Sequence, residues 1–253
     1  SRLRQFFMQR EMFPSSGLYA LWPTRRRQGP QLRVIQRDSM PPITDIEITY
    51  HDQSIVVVCK PSGMLAVPGR GPEKQDCVAT RLRRRFPEMI DQPAVHRLDM
   101  FTSGLMVFAK TAAAHRFLSI QFERRAVSKK YLALVEGQVS GERGVIRLAF
   151  RLDLANRPHQ VYDPVDGKLG ISLWRTVEVD GQLSRIEFIP LTGRTHQLRL
   201  HASHVRGLNC PIVGDSIYGN GSEGDQMMLH ATELKFAHPV TGKILQFSSP
   251  APF

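Results

Sequence analysis

The sequence predicts an α+β fold in which helices and loops flank a central mixed, largely antiparallel sheet. Short apolar or alternating runs, bounded by glycine, proline or charge, recur along the chain as β-strands do. Apolar residues at helical spacing occur in fewer places. The two patterns seldom alternate strictly, which argues against a parallel sheet with crossover helices. A chain of 253 residues is long enough to bury a sizeable core.

Seven segments carry these patterns. Their apolar residues predict strands at residues 55–59, 105–109, 131–136 and 186–190. Helical spacing predicts helices at residues 75–86, 112–125 and 195–205, the last of which follows a turn at Gly193. We find no internal repeat of 20–50 residues, so the elements predict one compact body from residue 45 onward.

Residues 1–44 are expected to form a flexible basic extension, and residues 45–253 the folded domain. The first 39 residues hold eight arginines against Glu11 and Asp38, with proline-rich breaks and no sustained period. Met40 precedes the first strand pattern and is a candidate alternative start of translation. An arginine-rich leader poor in acidic residues also fits an organelle transit peptide, as a second reading.

The charge of the whole chain indicates a polyanionic partner. The formal net charge is +11 and the isoelectric point is about 10.1. Cys59, Cys77 and Cys210 have neither disulfide nor zinc-knuckle spacing, which is typical of a reducing compartment. No apolar run approaches the roughly 18 residues of a membrane span, and no signal peptide is visible. We therefore expect a cytoplasmic protein without a membrane partner.

Residues 96–107 are the most informative stretch. They read His-Arg-Leu-Asp-Met-Phe-Thr-Ser-Gly-Leu-Met-Val, so Asp99 lies between a basic pair and a tight polar turn that leads into an apolar strand. Neighbouring cations can hold this carboxylate ionised at the end of a rigid element, as a nucleophile or base requires. A surface salt bridge would explain His-Arg-Leu-Asp on its own.

A second segment, residues 192–201, reads Thr-Gly-Arg-Thr-His-Gln-Leu-Arg-Leu-His. With it, the chain resembles the RluA-type pseudouridine synthases, which share H-R-L-D-x-x-T-S-G followed by G-R-T-H-Q-[LI]-R-x-H. Further matches are Lys-Pro-Ser-Gly at 60–63, Lys-Lys-Tyr at 129–131, Pro-Ile-Val-Gly-Asp at 211–215, Tyr-Gly at 218–219, Leu-His-Ala at 229–231 and His-Pro at 238–239. The resemblance covers about residues 45–253.

The resemblance implies an RNA-modifying isomerase with one catalytic domain and no cofactor. It assigns the attack on the ribose to Asp99. Tyr131 is implied to stack on the uracil and accept a proton, and Arg194 to pair with the catalytic aspartate. Arg97 is implied to enter the RNA stack in place of the extruded base.

Further cations and one hydroxyl are expected to contact RNA, namely Lys60, Thr102, Lys129, Lys130 and Arg199, although a solvated surface role is open for each lysine and for Arg199. No metal site is expected at His196, His201 and His204, because their spacing is not that of a zinc motif. Asp153, in a second Arg-Leu-Asp tripeptide, lacks the following Thr-Ser-Gly turn and is read as structural.

Several alternatives remain open. A catalytically silent RNA-binding protein would carry the same charge but would not need Asp99, Tyr131 and Arg194 together. A glycosidase-like hydrolase requires a second carboxylate, for which no convincing partner exists. The chain looks most like the compact, dual-specificity subgroup that lacks an S4 domain and modifies 23S rRNA and the anticodon stem-loop of some tRNAs, with tRNA-only synthases as the alternative. We expect a monomer with no obligatory protein partner.

Overall fold

The computed structural model describes residues 46–222 and 224–253. The predicted basic extension, residues 1–44, lies outside these described residues. No helix in the described part of the chain is both long and apolar enough to cross a membrane.

Ten strands of the described residues form one sheet. They are β1 (Glu47–His51), β2 (Ile55–Lys60), β3 (Ser103–Ala109), β4 (Ser128–Glu136), β5 (Arg143–Leu152), β6 (Gln160–Tyr162), β7 (Lys168–Asp180), β8 (Leu183–Pro190), β9 (Leu229–Ala237) and β10 (Ile244–Ser248). The spatial order is β1-β2-β3-β9-β4-β8-β7-β5-β6, and β10 pairs with β9. Only the β3–β9 pair is parallel, so the predicted mixed, largely antiparallel sheet and the α+β fold class are confirmed.

Within the part of the chain that the structure describes, three α-helices and a short 3₁₀ turn accompany the sheet. They are α1 (Val78–Arg85), α2 (Ala112–Glu123), α3 (Gln197–Ser203) and the 3₁₀ turn Pro72–Lys74. The helix predicted at 75–86 begins three residues late because Cys77 is its N-cap, accepting a hydrogen bond from the backbone of Thr80. The helix predicted at 195–205 begins only at Gln197, because His196 before it adopts a left-handed conformation.

The middle of the sheet is buried on both faces. Every residue of β3 is buried, and alternate residues point to opposite sides. Val58, Met106 and Phe108 pack in one cluster with α1, whereas Val57 and Val107 pack in another with α2. This continuous burial holds the start of β3, and the loop before it, in a fixed position.

A glycine permits the parallel pairing of β3 with β9. Gly104 has φ +111°, and a Cβ there would lie less than 3.0 Å from the backbone N, O and Cα of Ala231. Only glycine tolerates both the dihedral angle and the close approach. The Thr-Ser-Gly turn is therefore the point at which β9 docks beside the loop that carries Asp99.

Candidate active site

The loop that carries Asp99 is held by the residues that follow β2. The Thr102 backbone N–H donates to the Asp99 carbonyl (3.1 Å), which closes a turn. From the other side, the Gly63 N–H donates to the Met100 carbonyl (3.0 Å) and the Ser62 hydroxyl to the Phe101 carbonyl (2.8 Å). The Lys-Pro-Ser-Gly segment thus acts as the support of the Asp99 turn.

Lys60 lies beneath this turn and has no contact with solvent. Its side chain is 0% exposed. Its ammonium group donates to the carbonyls of Pro61, Met64 and Met100, each at 2.8 Å. Burial lowers the pKa of Lys60 to about 7, while Asp99 acts in the opposite direction. The prediction that Lys60 contacts RNA phosphate is therefore wrong, because all three of its N–H bonds are directed to backbone oxygens.

Arg199, rather than Arg194, is the arginine beside Asp99. Its Nη1 lies 3.8 Å from Asp99 Oδ2, while its Nε and Nη2 bind both carboxylate oxygens of Asp215 at 2.8 and 2.5 Å. Arg199 is only 4% exposed but lines the cleft, so its predicted contact with RNA phosphate stays a prediction. Asp215 carries a second buried charge that holds the guanidinium in place.

Arg194 is exposed at the rim of the same cleft. Its backbone N–H donates to Gln197 Oε1 (3.1 Å), and its guanidinium is not among the described groups within 4.0 Å of Asp99. The predicted Arg194–Asp99 pair is wrong because α3 begins after Arg194. The side chain that faces inward comes from within the helix, at Arg199.

Tyr131 forms the wall opposite this helix. It lies on β4, where its Cα partners are Phe188 on β8 and Ala231 on β9. The side chain is almost fully buried but lines the cleft. Burial and the nearby negative charge of Asp99 both raise the pKa of Tyr131 above its usual range. The phenol is therefore protonated at neutral pH in the free protein.

Asp99, Arg199 and Tyr131 line a cleft of about 940 Å³. Four further predicted side chains line it: exposed Arg97, half-buried Lys129 and Lys130, and buried Thr102. Lys130 is 3.4 Å from Glu233, whereas Lys129 has no carboxylate within 4.0 Å among the described residues. Burial lowers the pKa of Lys129. The cleft thus combines two carboxylates, Asp99 and the exposed Glu123 at the end of α2, with one phenol and several cations, a set that suits an anionic polymer bearing a base.

His196, Asp215 and Tyr218 belong to the site although sequence reasoning gave them no part in its chemistry. His196 Nε2 is 3.9 Å from Asp99 Oδ2, and its Nδ1 is 2.8 Å from the Tyr218 hydroxyl. The sequence did contain a signal for two of these residues, since Asp215 and Tyr218 belong to the late motifs at 211–219. Spacing along the chain did not reveal that these motifs fold back on α3.

Asp153 and His201 do not line the Asp99 cleft. Asp153 closes a local turn, accepting hydrogen bonds from the Ala155 and Asn156 backbones and from the Asn156 amide. His201 is fully buried, and neither ring nitrogen has a hydrogen-bond partner. Among residues 46–222 and 224–253, no three His, Cys, Asp or Glu side chains cluster closely enough to hold a metal ion.

Known proteins with the same pattern are RNA-modifying enzymes. A family model described as RNA pseudouridylate synthase matches residues 54–204. The chain is 38% identical over 212 residues to the dual-specificity RNA pseudouridine synthase RluA of Haemophilus influenzae, covering 82% of this chain and 94% of the relative. It is 40% identical over 210 residues to the protein of that name from Escherichia coli K12, covering 81% and 93%.

Solved structures agree with this comparison. The structure of human RNA pseudouridylate synthase domain containing 1 superposes with a TM-score of 0.67 at 30% identity, covering 84% of this chain and 86% of that one. Human RNA pseudouridylate synthase domain containing 4 shares the fold, with a TM-score of 0.64 at 24% identity.

Proposed function

Because the chain belongs to the RNA pseudouridylate synthase family, we propose that residues 45–253 are a catalytic domain that isomerises particular uridines of structured RNA to pseudouridine. One observation carries the proposal. Asp99, with 24% of its side chain exposed, faces a cleft lined by cations and by Tyr131. Pseudouridine formation breaks the C1′–N1 bond, turns the base and joins its C5 to C1′, so it needs one ionised carboxylate beside the sugar.

Asp99 supplies that carboxylate. It either attacks C1′, which forms an ester and releases the uracil anion, or removes the C2′ proton as a base. Both routes start from the carboxylate, and the Arg199 guanidinium lies 3.8 Å from it. Because Asp215 neutralises Arg199 in part, the arginine orients Asp99 without forming a tight pair with it.

Tyr131 is the proposed stacking partner of the uracil and the acceptor of the C5 proton. Stacking of a base on an aromatic ring is worth about 1–3 kcal/mol. The phenol must lose its own proton before it can accept another. Both routes neutralise Asp99, by esterification or by protonation, and this removes one of the two causes that raise the pKa of Tyr131. Burial, the larger cause, remains, so the proposed acceptor of the phenol proton is the released uracil anion, and the phenolate formed in this way then takes the C5 proton.

Arg97, Thr102, Lys129, Lys130 and Arg194 are the proposed RNA contacts. Arg97 and Arg194 are exposed at the cleft, where cations reach phosphates or replace an extruded base. Flipping a uridine out of its stack costs a few kcal/mol, and an inserted guanidinium recovers part of that cost.

The proposed substrates are a 23S rRNA hairpin and the anticodon stem-loop of tRNA. The support is the dual-specificity name of the relatives, which match over most of their length. A single cleft that holds one flipped nucleotide favours local recognition of a loop shape. We further propose that the protein acts as a monomer in the cytoplasm, where the three cysteines, free in the structure, remain reduced.

The test uses two short RNAs, an isolated tRNA anticodon stem-loop and a 23S rRNA hairpin, labelled with tritium at uridine C5. Release of tritium reports formation of the C5–C1′ bond. Turnover of both supports dual specificity, and turnover of the tRNA stem-loop alone indicates a tRNA-only enzyme. Binding of RNA without product from any substrate, intact ribosomal subunits and full-length tRNA included, would make the protein a non-catalytic RNA-binding protein.

A further inference from the structure

Tyr218 connects two segments that are remote in sequence. Its hydroxyl oxygen accepts a hydrogen bond from the backbone N–H of Gln160, at the start of β6 (2.7 Å). The same hydroxyl lies 2.8 Å from His196 Nδ1. A phenol has one proton to donate. Of these two neighbours only the ring nitrogen can accept it, because the Gln160 amide is itself a donor.

This arrangement selects one tautomer of His196. If Nδ1 accepts the tyrosine proton, the ring hydrogen must reside on Nε2. Nε2 is the atom 3.9 Å from Asp99 Oδ2. Burial lowers the pKa of His196, so the ring is neutral and the tautomer matters. The Nε2–H bond therefore lies on the Oδ2 side of the catalytic carboxylate.

Arg199 Nη1 approaches that same oxygen at 3.8 Å. Two N–H groups on one side of the carboxylate favour a single rotamer, in which Oδ1 is turned to the ribose. The guanidinium of Arg199 also lies 5.3 Å from the centre of the Tyr218 ring. The same tyrosine thus supports both groups that face Asp99.

The backbone of His196 is held in an unusual conformation. Its φ of 55° and ψ of 17° lie in the left-handed region, which is unfavourable for a residue other than glycine. The neighbouring Gln197 is clamped, because its amide binds Thr192 Oγ1 (2.7 Å), the Ile171 carbonyl (3.0 Å) and Ser172 Oγ (2.9 Å). These bonds fix the ring between Tyr218 and Asp99.

We propose that His196 is a positioning residue for the isomerisation, held by Tyr218 as the neutral Nε2–H tautomer so that it orients the Asp99 carboxylate. The inference rests on the proposed function for its effect on turnover. The tautomer itself is a property of the free protein.

The tautomer is measured on the wild-type protein by long-range ¹H–¹⁵N correlation of the histidine rings. The His196 signals are assigned as those missing from His196→Asn. We expect Nδ1 to have the chemical shift of an unprotonated nitrogen and Nε2 that of a protonated one. In Tyr218→Phe the Nδ1 acceptor bond is lost, and we expect a mixture of tautomers. A protonated Nδ1 in the wild-type protein would overturn the proposal.

Two substitutions separate positioning from folding. His196→Asn keeps a residue that tolerates the left-handed conformation, but its amide is too short to reach Asp99. His196→Gln places an amide N–H near the former Nε2. We expect kcat of His196→Asn to fall about 100-fold with KM within about threefold, and His196→Gln to recover about tenfold of that loss. Thermal unfolding identifies any loss of folding.

The outcomes distinguish the two proposals. A wild-type protein inactive on every RNA contradicts the proposed function and leaves the tautomer to be judged from its spectrum. An active wild-type protein with undiminished turnover in folded His196→Asn overturns the positioning role alone. Equal losses in the folded Asn and Gln variants also overturn it, since a donor at Nε2 would then have no effect.

Discussion

Asp99 and Asp153 each end an Arg-Leu-Asp tripeptide, but of the two only Asp99 lines the cleft. We expect Asp99→Asn to abolish pseudouridine formation and to leave RNA binding within about tenfold, because the charge needed at the ribose is lost while the cleft is kept. Tritium release and a binding titration measure the two effects. Asp153→Asn is the matched control and should retain activity. An inactive Asp153→Asn beside an active Asp99→Asn would reverse the assignment.

The two arginines of the Gly-Arg-Thr-His-Gln-Leu-Arg motif give a second test. Arg199→Lys loses the two-pronged contact with buried Asp215, so we expect the free energy of unfolding to fall by about 3 kcal/mol and kcat by more than about 100-fold. Arg194→Lys keeps the charge of an exposed residue, so it should change the free energy of unfolding and kcat only slightly. Denaturant titration and steady-state kinetics measure both. The opposite ranking would restore Arg194 as the partner of Asp99.

The motifs that resemble the family led to Asp99 and Tyr131, which both line the cleft, but not to the arginine that lies beside Asp99. Asp99 is defined by its immediate neighbours, a turn and a buried strand. The choice between Arg194 and Arg199 depends on where α3 begins, and the left-handed residue His196 delays that start to Gln197. The position of Lys60 could not be predicted for a related reason. A lysine at the end of a strand is normally expected to be exposed, and the sequence does not show that three backbone carbonyls surround this one.

Two lysines on different strands, Lys60 at the end of β2 and Lys129 on β4, should respond differently to substitution. Lys60→Met leaves the carbonyls of Pro61, Met64 and Met100 without a donor, so we expect a loss of about 3 kcal/mol of stability together with loss of activity. Lys129→Met, on β4 in the cleft wall, removes a cation that has no carboxylate partner among the described residues. It should retain stability and weaken RNA binding severalfold. Equal stability of the two variants would show that Lys60 does not support the Asp99 turn.

The four predicted strands are present, each with somewhat wider bounds, but six others escaped prediction. Those found, β2, β3, β4 and β8, contain apolar runs from the centre of the sheet. The missed β5 and β7 lie toward one edge, where exposed charged residues interrupt the apolar pattern. Short β6 gives no periodic signal at all. The central β9 was also missed although most of its residues are buried, because Glu233 and Lys235 interrupt its apolar run. An uninterrupted apolar run is thus what made a strand visible in the sequence.

Buried histidines make the whole molecule sensitive to acid. Burial lowers the pKa of His96 to about 3 and of His201 and His230 to about 4, from an ordinary value of 6.5. Below about pH 6.5 the unfolded chain therefore binds protons that the folded chain does not bind. The free energy of unfolding falls as the pH drops from about 6.5 toward 4. We expect the melting temperature to decrease between pH 7 and pH 5.

His201→Leu should flatten that decrease, because the ring of His201 has no hydrogen-bond partner to lose. His230→Leu is the contrasting variant. Its ring bonds Ser103 (2.8 Å) and Ser249 (3.1 Å), so its removal should lower stability at every pH. Differential scanning calorimetry across the range measures both. An unchanged acid slope in His201→Leu would assign the effect to other groups.

The position of β9 has a consequence for biosynthesis. This late strand is inserted between β3 and β4, so residues 229–237 join the loop of Asp99 to the strand of Tyr131. A ribosome releases the chain from its N-terminus, and β3 and β4 emerge before the strand that must separate them. A nascent chain arrested before residue 229 should therefore form no pseudouridine. The sheet can therefore bring Asp99 and Tyr131 together only after residue 237 has left the ribosome.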